Sequence, residues 1–475
     1  MRQKYSLILI SLTLGVLISY GILITTQSRI LFQIVVTVCV LIMATWIVKA
    51  SVGLLWKYPT IPGFMFIFYT IQIDIPGLII AIQNSGERSY TLFWQAVQIS
   101  VFMLSIGIAF ANIVFHSNPK ELERYFQSPV KLGKANWRLK SLMVLAFPVL
   151  LLLVAVYIYR VKEVPLFYML AHPGDALQIS LLRDESFKVL NVPDVELYMY
   201  AWIRELILPV MSGTAYIMWL LTRSPNWRNL FWLYLGLALF FASLSTAKQP
   251  VAVIFLLLAL CYYLLFGIRR TLRYLPLFVL AVFIFPIFEN YLKLGRSFNS
   301  ESMYDIISFV FFERLLLIPA SILSQYFDIF PLSEGFLLGR SIRLMSWLMG
   351  ENFFNTANYV YLYLYPNHPI HTGLANAAFI GNLYADFGMP GVWLGSFLTG
   401  FILQSTQIFM MRHSKTAINL ALYSFLCCTA WELISIPLPN VILGGGGALA
   451  LLLVWMFDQL FYRSNQRHLK SRYVL

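Results

Sequence analysis

Runs of about twenty apolar residues, separated by shorter polar segments, recur along the whole chain. They fall near 5–26, 30–48, 60–82, 91–115, 139–159 and 199–221, and again near 229–245, 250–267, 275–291, 390–411, 417–434 and 446–462. A helix rises about 1.5 Å per residue, so a run of this length crosses a hydrocarbon layer of about 30 Å. No ten-residue stretch alternates apolar and polar side chains as a barrel strand would. Lipid offers no partner to a bare backbone N–H or C=O, and a helix satisfies its own internally. The pattern therefore predicts an all-α, polytopic transmembrane bundle of about 12 spans, a single integral membrane domain over residues 1–475. Met1-Arg2-Gln3-Lys4 precedes the first run, no small-x-small cleavage site closes it and a second run follows at once, so 5–26 reads as an uncleaved span.

The basic residues orient the bundle. With Arg2 and Lys4 on the cytoplasmic side, every second loop should be basic. Those loops carry Lys49 and Lys57; Lys120, Arg124, Lys131, Lys134 and Arg138; Arg223 and Arg228; Arg269, Arg270 and Arg273; and Arg412 and Lys415. The tail, with Arg463, Arg467, Lys470 and Arg472, matches the same side. Both termini are therefore expected on the cytoplasmic side of the membrane.

Two segments between spans are too long for turns: 160–198, and 292–389 between spans nine and ten. Both are expected on the outer face, the second as a long, partly helical loop. Within it, 306–330 is apolar enough to imitate a span, but it contains Glu313-Arg314 and Pro319, and a crossing here would invert every later loop. It is expected to lie on the outer interface or dip into it.

Composition agrees with a lipid environment: 59% of residues are apolar, 16% aromatic and only 12% charged. The four cysteines, Cys39, Cys261, Cys427 and Cys428, all fall inside predicted spans, where no disulfide or thiolate metal site is indicated. A formal charge of +13 raises the question of nucleic acid, but the bases are dispersed in short loops, which suits orientation and anionic lipid headgroups instead.

Cations on the outer face run against the orientation rule and ask for a reason. They are Arg183, in Leu181-Leu182-Arg183-Asp184-Glu185; Lys248, in the short turn Ser245-Thr246-Ala247-Lys248; Lys293 and Arg296 after span nine; and Arg340 and Arg343, three apart after Gly339. An anionic ligand supplies that reason, and a diphosphate suits the planar fork of arginine. A surface ion pair accounts equally for Arg183, and headgroup contact for Lys248. If 340–343 is helical, its two cations share a face. Tyr359, Tyr361, Tyr363 and Tyr365 alternate with other residues, so an extended segment would place four phenols on one side, as an interfacial belt or a platform for sugar rings. His368-Pro369-Ile370-His371 lacks the company of a zinc site; His371 alone is the candidate general base, since imidazole titrates near neutral pH.

The stretch 371–391, with Asn376 and the run Phe387-Gly388-Met389-Pro390-Gly391, resembles the segment before a late span in Wzy-type O-antigen and oligosaccharide repeat unit polymerases. Val164-Pro165-Leu166 with Arg183, and Ser245-Thr246-Ala247-Lys248, are similar to other parts of that family, although members commonly carry Arg where this chain has Lys248. The resemblance implies a glycosyltransferase without metal or soluble cofactor. Such an enzyme moves a growing chain from undecaprenyl diphosphate onto a new lipid-linked repeat, building O-antigen, capsule or exopolysaccharide.

On that reading Arg183, Lys248, Arg296, Arg340 and Arg343 hold diphosphate, Tyr359, Tyr361 and Tyr363 stack on sugar, and His371 is catalytic. Expected partners are the lipid-linked oligosaccharide, membrane lipids, a flippase and a chain-length regulator, and no nucleic acid. Two alternatives stay open. An O-antigen ligase uses the same donor, and a transporter or flippase of polysaccharide precursors would use mid-span carboxylates, of which Asp74 is the best deep one, with Glu432 and Asp458 nearer span ends.

Overall fold

The structure, a computed structural model, describes residues 29–53, 57–132, 136–161, 163–188, 194–294, 308–368 and 373–459. The predicted span at 5–26, together with Arg296 and His371, lies outside these residues. Every regular element among those described is helical.

In chain order the elements begin with α1 (Arg29–Val52), followed by α2, which runs from Ile61–Tyr69 through a π segment at Thr70–Asp74 into Ile75–Gln83. Then come α3 (Arg88–Val114), α4 (Pro119–Gln127), α5 (Asn136–Arg160), α6 (Pro165–Ala171) and α7 (Ala176–Lys188). Helix α8 joins Asp194–Trp202, a π segment at Ile203–Ile207 and Leu208–Thr222. After it stand α9 (Pro225–Leu244), α10 (Lys248–Phe266) and α11 (Ile268–Leu294); α12 consists of a π segment at Phe309–Leu317 and Ile318–Ile329. The series closes with α13 (Arg343–Met349), α14 (Thr356–Leu364), α15 (Phe379–Met411), α16 (Ala417–Glu432), α17 (Leu438–Leu443) and α18 (Gly447–Asp458).

Ten of the predicted runs are helical segments long and apolar enough to cross a membrane. They are α1, α2, α3, α5, α8, α9, α10, α11, α15 and the α17–α18 pair, and the protein is a multi-pass membrane protein. Helix α16 also sits where a span was expected, but has only 16 residues. It is buried at every position from Ala417 to Ala430 and packs against α2, α8 and α10, so it is wrapped in protein on all sides. A helix apolar all round occupies such a place. On the outside of the bundle, α5 and α11 turn large apolar side chains outward, with Leu145 71% and Leu277 63% exposed. That is the surface lipid would cover.

Helices in lipid associate through small residues and interhelical hydrogen bonds rather than by expelling water. The α3–α15 crossing uses both. A Cβ on Gly107 would stand 2.0 Å from the Phe397 carbonyl oxygen, and one on Gly400 would stand 2.1 Å from that of Leu104. Gln404 Nε2 then donates to Asn112 Oδ1 across the same pair at 2.7 Å.

Three prolines shape the ends of the bundle. A proline cannot donate to the ladder, and its ring crowds the carbonyl four residues back. Before Pro76, Pro209 and Pro319 the preceding residue reaches back five positions instead: Ile75 N–H to Thr70, Leu208 N–H to Ile203, Ile318 N–H to Glu313. Each widened turn carries charge, respectively Asp74, Arg204-Glu205 and Glu313-Arg314. Such π segments are uncommon and recur at functional places.

Within 306–330, expected to lie on the outer interface or dip into it, α12 buries Leu323, Tyr326, Phe327 and Ile329 against α2, α3 and α15. Its apolar residues recur at helical spacing on one side, and that side finds protein. Residues 359–365 were expected to be extended, but Thr356–Leu364 is a helix capped by Asn355, whose side chain accepts from Asn358 N–H. At 3.6 residues per turn alternate tyrosines diverge, so the phenols split between faces.

Candidate anion-binding site

Helices α10 and α11 form an antiparallel hairpin closed by Gly267 alone, at φ 76°. The tight turn forces the start of α10 beside the end of α11. Lys248, the first residue of α10, thereby meets the last turns of α11. Its Nζ lies 2.7 Å from Glu289 Oε2 and donates to Asn290 Oδ1 at 2.6 Å. Lys293, one turn beyond Glu289, brings its Nζ to 2.5 Å from Oε1. The Glu289 side chain is fully buried between the two ammonium groups.

More cations converge on this carboxylate. The turn between α6 and α7 docks on the same end of α11 through Gly174 N–H and the Leu292 carbonyl, 2.8 Å apart, which brings the helix carrying Arg183 alongside. Arg314, on the π segment of α12, is exposed to solvent. Its guanidinium is nevertheless held below the ordinary arginine pKa, chiefly by desolvation and also by nearby Arg183, with Glu289 opposing. Lys248, Lys293 and Arg314 thus stand around a single carboxylate, with Arg183 near Arg314, and an anion would relieve their mutual repulsion.

A second polar group adjoins the first through the turn at 245–249. Arg204 Nη1 donates to Ser245 Oγ at 3.3 Å and pairs with Glu205. Gln249 Nε2 donates to Glu432 Oε1 at 2.9 Å. Thr246, between them, is fully buried in the left-handed region at φ 52°, and its hydroxyl has no hydrogen-bond partner among the described residues. A β-branched residue rarely adopts that conformation, so the turn is held under strain.

The other candidate residues are placed elsewhere or differently. Arg340 and Arg343 do not share a helical face: Arg340 lies in the turn before α13 and Arg343 begins that helix. Each stands over a phenyl ring, Phe354 at 5.7 Å and Phe353 at 5.0 Å respectively. Their turn is organised by buried Asp386. Asp386 Oδ1 accepts from Gly339 N–H and Ser341 N–H, and Oδ2 accepts from the Ser341 hydroxyl at 2.5 Å. A carboxylate engaged this way is a fastener.

The sugar platform is also revised. The Tyr359 ring packs between Phe330 and Phe354, at 6.1 and 5.3 Å. Gly373 lies flat on the Tyr361 ring, where a Cβ would come within 2.2 Å, and the Tyr361 hydroxyl is 2.9 Å from His368 Nδ1. Tyr363 and Tyr365 remain exposed. Asp74, a candidate for transport, is buried in the α2 π segment, where Oδ1 accepts from Gln98 Nε2 at 2.7 Å.

No protein-family model, curated protein or solved structure matches this chain. The site therefore rests on its own geometry. Arg314 and Glu289 were not among the predicted ligands, although Glu313-Arg314 was visible as a charged pair in an apolar run. The sequence signal for Arg314 is that pair together with Pro319, since the proline opens the turn on which the guanidinium sits.

Proposed function

We propose that this protein polymerises lipid-diphosphate-linked oligosaccharide repeat units on the outer face of a bacterial inner membrane, in a twelve-span arrangement with both termini cytoplasmic. The observation that carries the reading is the convergence of Lys248, Lys293 and Arg314 on Glu289, with Arg183 near Arg314, at one end of the bundle. A glycosyl donor activated as a diphosphate brings its own leaving group. The protein must position two lipid-linked sugars and neutralise the charge that departs, and a preorganised cationic wall does the second. Lys248 and Arg183 remain diphosphate ligands in this scheme, joined by Arg314 and Lys293.

Deleting the gene tests the proposal. Surface polysaccharide should collapse from long chains to single-repeat caps, which native gels with lectin or antibody staining resolve. A polymer of unchanged length would dismiss the polymerase reading. Complete loss of even single-repeat caps would favour the ligase.

The topology is tested separately by cysteine labelling in a background whose four native cysteines are alanine. Asn355 and Lys120 are both exposed. A membrane-impermeant maleimide added to intact spheroplasts should modify Asn355→Cys and leave Lys120→Cys untouched until the membrane is opened. The reverse pattern would invert the bundle.

A further inference from the structure

The turn at 245–249 has two consecutive side chains that face different company. Lys248 belongs to the cationic wall, whereas Gln249 holds Glu432. Adjacent Cα atoms are about 3.8 Å apart, so the anion site and the Glu432 carboxylate are separated by little more than two side chains. In such a gap the donor's anomeric carbon would lie with its phosphate toward the lysine and the acceptor's attacking hydroxyl toward the carboxylate.

The surroundings of Glu432 suit a sugar. Its Oε2 lies beneath the glycine run 444–447, where even a Cβ on Gly445 would stand only 3.5 Å away. Trp202 anchors this run by donating from Nε1 to the Leu443 carbonyl at 3.2 Å, and Tyr198 lies beside it with rings 6.1 Å apart. Half-buried aromatic rings, an amide and carboxylates with a free oxygen are what carbohydrate recognition uses. Glu205 is close enough to act electrostatically on Glu432. The strained turn at Thr246, with its unpartnered buried hydroxyl, immediately precedes Lys248 and Gln249.

We propose that Glu432, with Gln249, Trp202 and Tyr198, forms the acceptor-sugar subsite, and that Glu432 is the general base of the transfer. The inference rests on the polymerase reading above. Glu432 takes the proton from the acceptor hydroxyl as that oxygen forms its bond to the anomeric carbon of the donor. The bond from the anomeric carbon to the phosphate oxygen breaks, and its electron pair leaves with the lipid diphosphate, whose charge meets Lys248, Lys293 and Arg314. The proton then passes from Glu432 to water. Gln249 is a positioning residue, since it fixes Oε1 and leaves Oε2 for the substrate.

The test uses the purified full chain in lipid nanodiscs, with lipid-linked repeat units extracted from cells lacking the gene. Glutamine at 432 can still accept from Gln249 but cannot take a proton. Glu432→Gln should therefore keep its thermal stability and its binding of undecaprenyl diphosphate, and lose on the order of 10²–10³-fold in chain-extension rate. The acid limb of the wild-type pH profile should vanish with it. A rate per folded molecule within fivefold of wild type overturns the proposal, because a purely structural glutamate is rescued by glutamine.

If Glu432→Gln does not accumulate, Gln249→Leu decides. A tenfold or larger fall in kcat at unchanged donor KM supports the assignment, and an unchanged kcat overturns it. The two levels fail differently: long chains surviving gene deletion refute polymerisation itself, whereas single-repeat caps on deletion with long chains in Glu432→Gln refute only the subsite.

Discussion

Alanine at Arg314 is expected to slow chain extension by on the order of 10²–10³-fold, the usual cost of removing one preorganised donor from a developing anion. Three facts single out this residue. It is solvent-exposed, it stands on a π segment opened by Pro319, and it senses both Glu289 and Arg183. Stability should therefore change by no more than about 0.5 kcal/mol, as for most exposed positions. Arg314→Lys should fall between alanine and wild type, because an ammonium keeps the charge but loses the bidentate fork. Initial rates and thermal unfolding of the same preparations check both halves. Activity within twofold of wild type in Arg314→Ala would remove the residue from the anion site.

The second large effect concerns stability. Glu289 is fully buried between two lysines whose side chains are only 17% and 14% exposed. Removing one partner of a buried ionic group strands the remaining charge, at a typical cost of about 3–5 kcal/mol. Glu289→Ala leaves two lysines facing each other with no counter-ion, and the protein is expected to unfold at markedly lower temperature and to accumulate poorly.

Replacing the whole triad with apolar residues is different, because the desolvation penalty disappears along with the attraction. Lys248→Met/Glu289→Leu/Lys293→Met should recover most of the lost abundance while chain extension stays absent. Fluorescence-detected size exclusion of a tagged protein reads abundance, and surface polysaccharide reads activity. Restored chain extension in the triple variant would show that the triad serves the fold alone.

Much of the architecture was legible in the sequence, for a reason specific to membranes. A span must be helical and about twenty residues long, so hydropathy alone located α1, α2, α3, α5, α8, α9, α10 and α11 within a few residues. The break at Gly388, with φ 64° and ψ −153°, divides α15 just where the last outer segment was expected to end, and the adjacent Pro390 announces it. Charge placement flagged Lys248 and Lys293 as unusual, and both stand against buried Glu289. Burial of the α12 face was not legible. Apolar residues on one side of a helix read alike whether lipid or protein covers them, and only the packing of α2, α3 and α15 decides.

The tyrosine run illustrates the same limit in another form. Period-2 spacing of Tyr359, Tyr361 and Tyr363 suits a strand, but Asn355 caps a helix there and the chain obeys its backbone hydrogen bonds rather than its aromatic spacing. What the sequence by itself determined is the solvent the chain must live in, the helical nature and order of its apolar segments, and which cations the orientation rule leaves unexplained. What only the tertiary structure decided is which of those cations meet. Arg183, Lys248 and Arg314 are far apart in sequence, and they converge because Gly267 folds α10 back on α11 and Gly174 pins the α6–α7 turn to its end. Spacing along a chain reports neighbours on one helix; it carries no information about where two helix ends are tied together.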